Sequence, residues 1–128
     1  MTYQKARLKD AREITDAVQN TIRQIYPKFY VEEIVNAFLD LHCLENITQD
    51  IQNGNTVIVK SNGKIAGTGT IEDGYHITRV YVLPQFQGQG IGSFIMDVLE
   101  GKIKASGFDK AILDSSAPAF EIYKKTRL

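Results

Sequence analysis

Apolar residues recur along the 128-residue chain with one spacing near the N-terminus and another further on. Ala11, Ile14, Val18, Ile22 and Ile25 follow helical steps of three and four, which predicts a first helix with Asp10 placed to cap it. A short strand over residues 4–8 is expected ahead of it. Tyr26-Pro27-Lys28-Phe29-Tyr30 interrupts the pattern, because proline disfavours helical geometry in the residue before it. Val31, Ile34, Val35 and Phe38, with Leu41 or His42, then mark a second helix. Residues 46–54 are polar and read as a connection. From residue 56 the period changes. Residues 56–60 and 64–71 read as two strands around the turn Ser61-Asn62-Gly63, since Asn-Gly readily takes positive φ. Asp73-Gly74 turns again into residues 75–83, a β-branched and aromatic run and the strongest strand pattern of the chain. A helix over residues 90–105 carries Ile91, Phe94, Ile95, Val98, Leu99 and Ile103 as an apolar stripe. A strand at residues 110–113 and a last short helix at 118–125 complete the order. The result is an α/β or α+β domain around a mixed sheet, with no repeat, linker or low-complexity tract to divide residues 1–128.

Composition narrows the functional classes. Hydrophobic residues make up 43% and charged residues 23%, which is globular composition. Fifteen Lys plus Arg balance fifteen Asp plus Glu. That neutrality removes the usual electrostatic reason to expect nucleic acid or an anionic membrane as partner. Cys43 is the single cysteine, so no intramolecular disulfide forms, and no Cys/His spacing resembles a metal site. The N-terminus lacks a signal-peptide core, and no run of about 18 apolar residues occurs. A cytoplasmic location is the expectation.

The chemistry is concentrated in Val80-Tyr81-Val82-Leu83-Pro84-Gln85-Phe86-Gln87-Gly88-Gln89-Gly90-Ile91-Gly92-Ser93: a strand, a loop with alternating glycines, then an amphipathic helix. Glycines let backbone approach a ligand closely, and a helix start offers unpaired N–H groups with an effective charge of about +0.5. The arrangement suits a phosphate or pyrophosphate. A P-loop needs Gly-Lys-Ser/Thr, and this loop has no lysine. A dinucleotide fingerprint needs a third glycine where Ser93 stands, and two helices precede the strand. The remaining pattern, Gln/Arg-x-x-Gly-x-Gly/Ala, is met by Gln87, Gly90 and Gly92 directly after a Val-x-Pro strand end.

That pattern resembles the acyl-CoA-binding motif of the GNAT N-acetyltransferase superfamily. The resemblance implies a mixed, mostly antiparallel central sheet flanked by helices, with acetyl-CoA as co-substrate. It implies that backbone amides of Gln87, Gly88, Gln89, Gly90, Ile91, Gly92 and Ser93 receive the pyrophosphate. Val80 and Val82 would pair with the pantetheine arm where strands four and five splay, and the Val82 amide would stabilise the oxyanion. Ala119-Phe120-Glu121-Ile122-Tyr123 resembles the family's Ala-x-x-x-Tyr segment, which implies that Tyr123 protonates the departing thiolate. The family pattern continues with Gly-Phe, whereas here Arg127-Leu128 end the sequence, so the closing strands are expected to be short or absent. An unpaired edge at residues 110–113 would invite a second chain, which makes a homodimer the oligomeric hypothesis.

The acceptor must be a neutral amine when it attacks, and a lysine-like amine is mostly protonated at neutral pH. His76 begins the key strand where relatives often place a base, and simple alternation puts it on one face with Thr78, Val80 and Val82. Glu72, Asp73 or a water chain are alternatives, and so is an ordinary strand-end histidine. Tyr26, Phe29 and Tyr30 either line an acceptor pocket or plug the joint between two helices. His42 and Cys43 read as a boundary histidine and a small buried thiol. Arg79, opposite in face to Val80, reads as a sheet-surface residue or an acceptor anchor. The expected activity is direct transfer of acetyl from acetyl-CoA to a small-molecule or peptide amine in a ternary complex. The rivals are a non-catalytic acyl-CoA-binding module and, more distantly, a dinucleotide-binding oxidoreductase.

Overall fold

A computed structural model describes residues 1–113 of the chain. Five strands form one sheet in sequence order: β1 (Gln4–Lys5), β2 (Thr56–Ser61), β3 (Lys64–Glu72), β4 (His76–Val82) and β5 (Ile112–Leu113). The first four pair antiparallel and β5 joins β4 in parallel, the mixed, mostly antiparallel sheet expected above. Asn62 turns the β2–β3 hairpin at φ 54°, as an Asn-Gly turn requires.

Both faces of the sheet are buried. On one, Ile58, Ile65 and Tyr81 pack with Ile14, Val18 and Ile22 of α1 (Ala11–Ile25), Val35 of α2 (Glu32–Leu41), and Ile47 and Ile51 of α3 (Leu44–Gln52). On the other, Val57, Val59, Ile71, Ile77, Val80 and Val82 pack with Ile91, Ile95, Leu99 and Ile103 of α4 (Ile91–Ala105). The α4 stripe is the one read from the apolar pattern, with Met96 added. Here α4 comes very close to β3. A Cβ on Gly69 would lie 2.7 Å from Ile95 Cγ2 and 2.8 Å from Leu99 Cδ1, so the close approach depends on glycine.

Two local expectations are corrected. Residues 46–54 are mostly helical rather than a connection: Ile47 and Ile51, one turn apart, anchor α3 in the core although the rest of the segment is polar. Asp10 is buried, and its carboxylate accepts the Arg7 N–H at 2.9 Å. It stands at the expected N-cap position of α1, but its side chain closes the 3-10 turn Leu8–Asp10 and makes no cap bond to α1 itself. Side chains of α1 also tie the layers together. Glu13 accepts the Ile65 N–H of β3 at 2.7 Å, and the Gln19 amide donates to the Leu39 and His42 carbonyls at 2.8 Å each. Among the described residues, no helix is long and apolar enough to cross a membrane.

Candidate active site

The site is built where β4 ends and α4 begins. Thr70 faces Thr78 and Thr68 faces Tyr81, so Gly69 stands opposite both Arg79 and Val80. This is a β-bulge with one extra residue on β4. Arg79 takes φ 51°, in the left-handed region.

Two backbone bonds show what the bulge does. The Tyr75 carbonyl accepts the Ile112 N–H at 2.9 Å, on the β5 side. Leu83 donates its N–H to the Ala66 carbonyl at 2.9 Å, on the β3 side. On an uninterrupted strand two odd-numbered residues would face the same edge. The extra residue reverses the parity, so past it Val80 and Val82 direct their backbone groups away from β3. Side chains change face too. Ile77, Val80 and Val82 all pack toward α4, so the bulge separates His76 and Thr78 from Val80 and Val82. The shared face expected from simple alternation is therefore incorrect.

Beyond Val82, Pro84–Phe86 make one 3-10 turn and Gln87 folds back: its Nε2 donates to the Val82 carbonyl at 3.1 Å. The glycine loop is thus fastened to the outer edge of β4. Gly88 and Gly90 both adopt φ 82°, and a Cβ on either would meet nothing within 4 Å. Backbone conformation, rather than crowding, calls for glycine there. Residues 88–90 are exposed, and Gly90 is the N-cap of α4, at the positive end of its dipole. Strand edge, loop and helix start can together receive an extended ligand that ends in an anion.

The other candidate residues are distributed as follows. His76 starts β4 opposite Glu72 of β3 and Ile112 of β5, and Asp73 is exposed in the preceding turn at φ 56°. Tyr26 is buried, and its hydroxyl lies 3.0 Å from that of Tyr81. Phe38 meets it edge-on at 4.9 Å between ring centroids, and Tyr30 lies at 5.8 Å. Tyr26 is thus packed among these aromatic rings, Tyr30 is half-buried beside it, and Phe29 is 51% exposed. Tyr123 and the helix expected over residues 118–125 lie outside the described residues.

Sequence reasoning missed a polar cluster behind β4. Arg79 is neither on the sheet surface nor exposed as an anchor: its side chain is only 7% exposed. Its Nε donates to His42 Nδ1 at 2.8 Å, and Nη1 pairs with the Asp50 carboxylate. Arginine can only donate, so His42 Nδ1 carries the lone pair and the neutral ring holds its proton on Nε2. Burial, then the Arg79 charge, lower the His42 pKa from 6.5 to about 4. The one sequence signal was an arginine inside an otherwise β-branched and aromatic run.

A bulged strand feeds a glycine loop and a helix start on a mixed sheet covered on both faces, the arrangement that the sequence motif implied. The chain belongs to the acetyltransferase (GNAT) domain family, whose model matches residues 26–126. Solved structures share the fold. A GCN5-related N-acetyltransferase from Rhodopseudomonas palustris is 23% identical with a TM-score of 0.87, over 97% of this chain and 78% of that one. A PaiA N-acetyltransferase from Thermoplasma acidophilum in complex with coenzyme A is 17% identical with a TM-score of 0.78, over 97% of this chain and 86% of that one. A predicted acetyltransferase with acetyl-CoA from Clostridium acetobutylicum is 21% identical with a TM-score of 0.66, over 99% and 88% respectively. No curated protein matches the sequence.

Proposed function

We propose that this chain transfers the acetyl group of acetyl-CoA to a primary amine by direct attack in a ternary complex. The observation that carries the reading is the parity change in β4. It directs the Val82 backbone to the outer edge, on the side where Gln87 fastens the glycine loop. In this reading the backbone of residues 87–93 holds the pyrophosphate and Val80 and Val82 pair with the pantetheine arm. The Val82 amide then faces the thioester carbonyl, where developing negative charge is stabilised by a preoriented donor. The amine nitrogen forms the new C–N bond, the C–S bond breaks, and the thiolate leaves. Tyr123 supplies the thiolate's proton, and His76, Glu72 or Asp73, directly or through water, takes the proton lost by the amine. Positioning and oxyanion stabilisation supply most of the acceleration, so no covalent enzyme intermediate is needed.

A thiol-release assay with acetyl-CoA over aminosugars, polyamines and peptide N-termini tests this. Release that depends on an amine is expected, and Tyr123→Phe should lower kcat by roughly 100-fold with little change in acetyl-CoA affinity. Tight acetyl-CoA binding with no release for any amine would instead mark a non-catalytic binding module. An unchanged kcat would remove Tyr123 from the mechanism.

A further inference from the structure

We infer that Arg79 is a positioning residue for acyl transfer, clamped by His42 and Asp50 so that the β4 bulge keeps the Val82 amide on the strand's outer edge. The inference rests on the reading of this site as the acetyl-CoA site. Left-handed backbone is disfavoured for a residue that carries a side chain, and glycine is the ordinary choice there. Arg79 holds φ 51° without being glycine. Such strain persists where the surroundings over-determine the residue.

The surroundings here come from three helices. His42, which receives the Arg79 Nε–H at 2.8 Å, follows directly on α2. Its carbonyl, with that of Leu39, is held by Gln19 of α1. Asp50, paired with Nη1, belongs to α3. A planar guanidinium can serve both partners in one fixed orientation, which a lysine ammonium does not reproduce. The clamp therefore sets the position of the extra residue in β4. Were the bulge lost, plain alternation would turn the Val82 amide toward β3 and out of the reaction.

The test compares Arg79→Ala, which removes the clamp and still disfavours the left-handed backbone, with Arg79→Gly, which removes the clamp and accepts that backbone. Arg79→Ala is expected to lower kcat about 10-fold or more, with coenzyme A affinity changed less than about 3-fold. Arg79→Gly is expected to recover most of the lost kcat while its Tm stays well below wild type. Recovery of turnover without recovery of stability separates positioning from a merely structural role. Wild-type turnover in Arg79→Ala, or no recovery in Arg79→Gly, would overturn the inference while leaving the acetyl-CoA reading intact. A wild-type chain that neither binds coenzyme A nor transfers acetyl would overturn both. Should Arg79→Ala not fold, Asp50→Asn carries the test through hydrogen exchange. Amides of residues 80–83 are expected to exchange several-fold faster than in wild type, and unchanged exchange would overturn the clamp.

Discussion

Burial and the neighbouring Arg79 guanidinium keep His42 neutral down to a pKa of about 4, from an ordinary 6.5. Between those two pH values the unfolded chain binds a proton at His42 that the folded chain refuses. Folding stability from this group is therefore complete above about pH 6.5 and is lost as pH falls toward 4. The difference corresponds to about 3 kcal/mol at most. Arg79 donates to the ring at Nδ1, so protonation there would also set two cations against each other. Urea midpoints measured from pH 7 to pH 4.5 should fall steeply in wild type and less steeply in His42→Gln. Equal slopes would contradict the assignment. The same hydrogen bond makes His42 unsuitable as the base for the amine, since a proton taken at Nδ1 would break its bond to Arg79.

At the scale of elements, the distance between α4 and β3 is set by the glycines beneath the helix. Gly69→Ala would place its new Cβ within 2.8 Å of Ile95 and Leu99, both fully buried. Overpacking of this kind costs about 1–3 kcal/mol, so a lower urea midpoint is expected and an unchanged one would contradict the packing described. Long periodic elements were legible in the sequence. The α4 stripe, the two hairpins and the first two helices are local patterns, and each formed within a few residues of its expected bounds. What escaped depended on tertiary contacts. α3 is secured by Ile47 and Ile51 packing against distant residues, a signal too sparse to separate from a polar loop. The bulge at Arg79 escaped for a related reason. Nothing in Val80-Tyr81-Val82 marks an extra residue, and the partners that hold it, His42 and Asp50, lie far away in sequence. The glycine loop was legible because its backbone demands glycine; the parity of β4 was not.

For the whole molecule, the equality of fifteen basic and fifteen acidic residues leaves no net charge to favour one charge class of acceptor. The strand edge, glycine loop and α4 start instead converge on one region, the place proposed for the cofactor. Isothermal titration of the wild-type chain asks whether this region binds acetyl-CoA. Acetyl-CoA and coenzyme A should each bind with a stoichiometry of about one per chain, while NADH does not compete. Saturable binding of NADH, with no heat from acetyl-CoA or coenzyme A up to about 1 mM, would mark a dinucleotide site instead and overturn the proposed acetyl-CoA site.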